Sequence, residues 1–314
     1  MHFDIEPRTI LLVNHGSHAY GLATPESDLD IKGVCIKPKA CYFGFTQKFE
    51  QHEKMASKGG GVDSVVYSLD KFANLAADCN PSIIEVLWVD PSDYRKVSPA
   101  GYRLLEMREQ FLSRKAKHTF SGYAFAQLGR IKTHRQWLLS PADKPPQRKD
   151  FGLNETDVVS RSELGAFQSM EDTGELMLPK QVVTLFVRER EYQAALRHHK
   201  QYLNWKETRN PKRAELEAKY GYDCKHGSHL IRLYRMCLEI LLTGKVIVKR
   251  PDREELLAIK SGGRSYDSLI EEADKLEAKC VAAYDTSPLP RDPDRAKLDR
   301  EIIAITEEFL SDNG

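Results

Sequence analysis

The stretch Val13-Asn14-His15-Gly16-Ser17-His18-Ala19-Tyr20-Gly21, followed by Ser27-Asp28-Leu29-Asp30-Ile31, decides how the rest of the chain is read. A short apolar strand, Ile10 to Val13, runs into a Gly-Ser turn, and after a polar loop a second strand begins with two carboxylates one residue apart. Alternate residues of a strand face the same way, so Asp28 and Asp30 project to one side, about 7 Å apart along the strand. Acids held that close repel each other unless a cation sits between them. The Gly16-Ser17 turn offers backbone N–H groups and a hydroxyl to a phosphate. Phosphates on one side and cation-binding carboxylates on the other describe a site that handles nucleotides. His15 and His18 flank the turn. Each fits a phosphate contact or an ordinary surface position, and neither stands in metal-ligand spacing with another His or Cys.

The chain has 314 residues, enough for one large domain or two ordinary ones, with 41% apolar residues for a core and 30% charged residues for a solvated surface. Its 47 basic and 46 acidic groups nearly cancel, to a net charge of +1, yet they are segregated. The region of Asp28 and Asp30 is acidic and residues 113–135 and 225–250 are basic, which suits an anionic substrate. The six cysteines include no C-x-x-C pair and read as reduced thiols. Asp4, Glu6 and Arg8 interrupt any early apolar run, and no 18-residue apolar window exists. The expectation is a cytoplasmic protein with no membrane partner.

Residues 9–13 and 29–36 read as strands, with a helix of about two turns between Ser17 and Leu22. Residues 45–62 read as a polar, mobile loop ending in Gly59-Gly60-Gly61. Residues 63–69 have a third strand pattern, Leu69 to Ala77 reads as helix, and Asn80-Pro81 supplies a cap and first-turn proline for another through Trp88. From Ala100 the signals are helical: 101–116, 120–139, 180–208, a helix after Lys225 ending at Gly244, then 252–261, 264–283 and 295–310. Lys245 to Val248 reads as a short strand or extended link. Residues 140–180 have weak patterning and read as a loop or insertion, with room for a short helix at 161–170. The predicted fold is α+β, with a domain over residues 1–98 built on a small mixed β-sheet with flanking helices, and a mainly helical domain over residues 99–314.

Gly16-Ser17, ten intervening residues, then Asp28-Leu29-Asp30 resembles the signature of the polymerase-β-like nucleotidyltransferase superfamily. The fuller string from Gly16 to Val34, together with Asn80-Pro-Ser-Ile-Ile-Glu-Val-Leu-Trp88, resembles the narrower RNA-repair-pathway polymerase-β family of bacteria and phages. The segment from Asn210 to Arg235, with its Lys225-His226 dipeptide and His229-x-x-Arg232 run, is similar to the C-terminal helical signature of the same family. The resemblance covers residues 8–90 and 210–262, about half the chain.

The resemblance implies two-metal transfer of a nucleoside monophosphate from an NTP to an acceptor hydroxyl, with release of pyrophosphate. Mg²⁺, or Mn²⁺ in its place, would be held by Asp28, Asp30 and Asp63, the last by its place at the start of the third strand. Asp70 competes for that role, but period-2 geometry puts it on the face opposite Asp63. Gly16 and Ser17, with Lys225, His229, Arg232 and Arg235, are the expected nucleotide-binding residues. His229 and Arg232 are the best-matched pair for a triphosphate, since residues three apart adjoin on a helix. The acceptor that the resemblance implies is an RNA end, tRNA or tRNA-like. The alternatives are nucleotidylation of a protein or small molecule (AMPylation-type or antitoxin) and a non-catalytic nucleotide-binding module. Arg130, Lys132, His134 and Arg135, preceded by Lys115, Lys117 and His118, form a basic helix that could track a nucleic-acid backbone or simply face solvent. Tyr123 and Phe125 on that helix are read as core residues and not as stacking platforms. Base choice, template dependence and oligomeric state are not legible at this level.

Overall fold

The apolar run ending in Val13-Asn14-His15 forms a buried strand, β1 (Thr9–His15), and the sheet grows from it in a computed structural model that describes all residues except 1–2, 26, 56–61, 157, 175–176 and 313–314. Next come a one-turn helix α1 (Gly16–Ala19), β2 (Leu29–Cys35), a short α2 (Lys39–Phe43), β3 (Gln51–Lys54) and β4 (Val62–Ser68). Helices α3 (Leu69–Ala77) and α4 (Pro81–Leu87) and strand β5 (Tyr94–Val97) complete the sheet region. The sheet order is β3-β4-β2-β1-β5. β2 and β4 run parallel, and the other neighbouring pairs are antiparallel, so the sheet is small and mixed as the sequence predicts. The expected two-turn helix after Gly16 is a single turn. Gly21, at φ +70°, takes the left-handed conformation, and its N–H closes onto the His18 carbonyl.

The remaining elements are helical: α5 (Pro99–Glu106), α6 (Lys115–Leu139), α7 (Arg161–Thr173), α8 (Lys180–Thr208), α9 (Pro211–Tyr220), α10 (Cys224–Thr243), α11 (Arg253–Lys260), α12 (Tyr266–Thr286) and α13 (Arg295–Asp312). The single helix expected over 101–116 is divided. Ser98 caps α5 at Gly101, a tighter turn follows at Arg108–Phe111, and α6 starts afresh at Lys115. Lys245 to Val248 forms no strand. Two four-residue strands add to the sheet: β3, in a stretch expected to be loop, and β5, where the sequence carries no strand signal. Residues 161–173 form a longer helix than the one considered at 161–170, opened by a capping box in which Ser160 and Glu163 satisfy each other's backbone N–H. The glycine run Gly59-Gly60-Gly61, read as a mobile loop, lies outside the described residues.

The chain forms two compact units, one of residues 1–131 with 222–314 and one of residues 132–221. The predicted division fell at 98/99, whereas spatial grouping divides the chain at 131/132 and 221/222. In the first unit the sheet has two covered faces. One carries Cys35, Phe49 and Val66, with Phe3, Ile5, Leu12 and Cys41 against them. The other carries Leu11, Val13 and Val34, and α3 and α4 pack against this sheet. α10 packs on α11 and α12, and α13 packs on α3 and α5. The α10 helix ends at Gly244, φ +65°, as its sequence predicts.

In the second unit Trp137, Tyr202 and Trp205 cluster, with Trp137 Nε1 donating to His198 Nε2 at 2.9 Å. The Arg209 guanidinium lies 4.4 Å from the Trp205 ring. Glu189, fully buried, is matched by Arg148 at 2.9 Å. Among the described residues, no helix is long and apolar enough to cross a membrane.

Candidate active site

Register brings the carboxylates together. In the parallel β2–β4 pair Asp30 stands opposite Asp63, and in the antiparallel β1–β2 pair His15 stands opposite Asp30. These three side chains form a row across one face of the sheet, with neighbouring strands about 4.8 Å apart. The next row on that face is Val13, Lys32 and Val65. Asp28 lies just before β2 and is exposed. Asp70 is the first-turn acid of α3, where its carboxylate accepts from Lys37 Nζ at 2.7 Å.

Gly16 closes the site from the β1 side. It has φ +64°, and a Cβ built there would lie 2.1 Å from Asp30 Oδ2. Only a residue with no side chain lets the turn come so near the carboxylate. Ser17, half-buried, follows in the same turn.

Charge is concentrated here. Burial pushes the Asp30 carboxyl above its ordinary range and Asp63 adds to the shift, while His15, Lys225 and Lys32 oppose it. Two acids side by side, one of them held reluctant to ionise, make an arrangement that a divalent cation relieves. Of the expected donors, Asp30 and Asp63 stand side by side by register and offer the hard oxygen ligands such an ion takes, whereas Asp28 lies outside the strand.

Beneath the row lies a buried polar network that the sequence reading missed. Glu85 of α4 is 1% exposed, and Arg232 of α10 is 4% exposed. Arg232 Nη1 donates to Glu85 Oε1 at 2.5 Å, and its guanidinium carbon sits 3.8 Å from the centre of the Tyr20 ring. The Tyr20 hydroxyl donates to Glu85 Oε2 at 2.5 Å, and His15 Nε2 lies 3.3 Å from the same oxygen. Burial alone would push the Glu85 carboxyl up, but the Arg232 guanidinium and His15 hold it below the usual carboxylate range. Burial lowers His15. The signal was present in the sequence: an acid among Ile83, Ile84, Val86 and Leu87 must find a partner.

The loop after α1 is fastened from the same side. The Arg250 N–H donates to the Tyr20 carbonyl at 3.1 Å, and the Arg253 side chain donates to the Gly21 carbonyl. Lys32, also missed, donates to the Ser82 carbonyl at 2.9 Å and to its hydroxyl, and burial brings its pKa down to about 8.

The basic residues expected to bind nucleotide therefore separate. Lys225 is exposed at the start of α10 and is among the charges acting on Asp30. His229 is half-buried, with a pKa brought down to about 3 by burial and by Arg232, Lys225 and His226, so at neutral pH it carries no charge. Arg232 points into the fold, as described. Arg235 faces Asp252 at 2.6 Å, Glu255 at 2.8 Å and Glu272 at 2.6 Å. Steps of three drift around a helix, and that drift carries Arg235 away from its neighbours.

The basic helix also resolves residue by residue. Arg130 and Lys132 are exposed, His134 stacks on Trp137, and Arg135 donates to the Gly221 carbonyl at 2.8 Å. Lys115 pairs with Asp78 and Asp292, each at 3.2 Å, and His118 lies against Tyr284. The reading of Tyr123 and Phe125 as core is corrected: they are 43% and 67% exposed. The buried stripe of this part of α6 is Ala116, Phe120, Ala124, Leu128 and Ile131, and positions 123 and 125 fall to either side of it.

The chain matches the family model described as RNA repair pathway DNA polymerase beta family over residues 2–303. It is 26% identical over 293 residues to an uncharacterized 38.9 kDa protein of the nrdC-mobD intergenic region of Enterobacteria phage T4, covering 84% of this chain and 86% of that one. No solved structure matches. A Gly-Ser turn against an Asp-x-Asp strand, on a small mixed sheet and matched by the family model along almost the whole sequence, leads to one conclusion: the chain belongs to RlaP, the RNA repair pathway DNA polymerase beta family.

Proposed function

We propose that this protein transfers a nucleoside monophosphate from an NTP to the terminal hydroxyl of an RNA. The observation that carries the reading is the register of Asp30 with Asp63, with Gly16 packed against the Asp30 carboxylate. The acceptor oxygen would form a new bond to the α-phosphorus, the bond to the β-phosphate oxygen would break, and pyrophosphate would leave while the hydroxyl proton passes to solvent. Mg²⁺ or Mn²⁺ held by Asp28, Asp30 and Asp63 would supply charge neutralisation at the reacting phosphate and make the hydroxyl more acidic.

The protein's own part is placement. Ser17 and the backbone of the Gly16 turn receive the phosphates, with the exposed Lys225 as the nearby cation. His229, uncharged, offers a hydrogen bond. Arg232 supports the turn from behind through Tyr20. The RNA acceptor is supported by the family's description and by the exposed cations Arg130 and Lys225.

The test is incubation with each α-labelled NTP, Mg²⁺ and total RNA, followed by sizing of the labelled product. Label in RNA, reduced on the order of 10³-fold in Asp30→Asn and Asp63→Asn, is expected. Label on protein alone would replace the RNA acceptor with a protein one. Equal labelling by wild type and both variants would remove the carboxylate mechanism.

A further inference from the structure

Tyr123 of α6 presents an aromatic ring at the surface. Its ring is 43% exposed, and its hydroxyl accepts from Asn80 Nδ2 at 3.1 Å, which fixes the ring's orientation. Asn80 is the N-cap of α4, accepting from the Ser82 N–H at 3.1 Å. Ser82 in turn receives the amino group of Lys32, two residues beyond Asp30 on the same face of β2. A continuous chain of contacts therefore links the tyrosine to the carboxylate row.

Further along the same flank of α6, Gln127 Oε1 lies 2.6 Å from His226 Nδ1, beside the exposed Lys225. Exposed Arg130 follows Tyr123 by seven residues, about 10 Å on by the rise of an α-helix. An aromatic face followed by cations is the arrangement by which proteins hold single-stranded nucleic acid.

We propose that the Tyr123 ring is the stacking platform for the terminal nucleobase of the acceptor strand, with Arg130 holding a backbone phosphate upstream of it. The proposal rests on the nucleotidyltransferase reading for its RNA acceptor. It adds where the strand end lies: beside the Asn80 cap of α4, which Ser82 and Lys32 link to the carboxylate row. Stacking reads no base edge, so the platform accepts any terminal base.

The test measures two affinities separately on the full chain. The first is binding of a 5′-labelled single-stranded oligoribonucleotide with a free 3′-hydroxyl, and the second is the KM for NTP. Tyr123→Ala is expected to weaken RNA binding about 5- to 150-fold, in line with the loss of one stacked base, and to leave the KM for NTP unchanged. Tyr123→Phe keeps the ring and loses the Asn80 contact, so it should bind RNA within about 2-fold of wild type. Loss of binding in both variants would assign the effect to the Asn80 contact and overturn the platform. A raised KM for NTP in Tyr123→Ala with RNA binding intact would assign the ring to the donor base and overturn the acceptor placement. Wild-type affinity in Tyr123→Ala on both counts would also overturn it. A wild-type protein that binds NTP and no RNA would remove the RNA-acceptor reading and the platform together, leaving the nucleotide site standing.

Discussion

Arg232 and Glu85 are 147 residues apart in sequence and meet 2.5 Å apart, both buried, directly behind the turn that begins at Gly16. The pair joins α10 to α4, and the Tyr20 ring lies between the guanidinium and the turn. A cation in this position braces the Gly16 turn from behind through the Tyr20 ring.

Breaking that pair on one side leaves the other charge buried alone. Arg232→Met or Glu85→Gln is expected to cost about 3–5 kcal/mol in urea unfolding, with the double variant recovering much of the loss. Tyr20→Phe removes one hydrogen bond to a charged acceptor and should cost about 1.5–3 kcal/mol. A double variant as unstable as the sum of its parts would show that the two residues are not coupled.

Asp30 and Asp63 pull stability and function in opposite directions. Two neighbouring carboxylates repel, so Asp63→Asn should melt at the same or a higher temperature than wild type in chelator-treated buffer. Added Mg²⁺ should raise the wild-type melting temperature and leave that of the variant nearly unmoved. Calorimetric scans with and without Mg²⁺ compare the four conditions.

Gly16→Ala imposes two costs at once. The left-handed backbone at φ +64° costs a non-glycine residue about 1–2 kcal/mol, and the added methyl displaces the Asp30 carboxylate. A fall in stability of that size, with a transfer rate reduced well beyond what the lost folded fraction explains, is expected from denaturation and turnover measured together.

The pH dependence has a definite sign. His229 has a folded pKa of about 3 against an ordinary 6.5, so its neutral form is favoured by folding. Its contribution to stability is complete above pH 6.5 and is lost as the pH falls toward 3, at up to about 1.4 kcal/mol per unit. His15 acts in the same direction, and Glu85 adds a further loss below its ordinary 4.5. His229→Asn should therefore lessen the fall in stability between pH 6 and 3 and leave the part due to His15 and Glu85 in place, as read from urea midpoints at stepped pH.

The sheet was legible where burial imposed a pattern. Ile10 to Val13, Ile31 to Cys35 and Val65 to Tyr67 show apolar runs or alternation because they are interior strands. Gln51–Lys54 and Tyr94–Val97 lie at the two edges, face water, and carry too little apolar period to be distinguished from loop. Asp30 and Asp63 could each be read as pointing to one side of a strand. Their adjacency could not, because which strands pair in parallel depends on a crossover and not on local pattern. Arg232 and Arg235 looked alike in a basic helix. Only the positions of Glu85, Asp252, Glu255 and Glu272 distinguish them, and those acids come from other elements. Tyr123 reads as core because Ala116 and Ala124, small and inconspicuous, hold two of the five positions of the buried stripe beside Phe120, Leu128 and Ile131.

The first compact unit is assembled from both ends of the sequence, with residues 132–221 synthesised between them. At about 5–20 residues per second, Glu85 emerges many seconds before the arginine that neutralises it. During that interval the nascent chain holds Asp28, Asp30, Asp63 and the whole Gly16 turn, yet lacks the arginine that stands behind that turn. The seating of the turn is therefore tied to the completion of α10: a polypeptide released before residue 232 would carry Gly16-Ser17 and Asp28-Leu29-Asp30 without the charge pair that stands behind them.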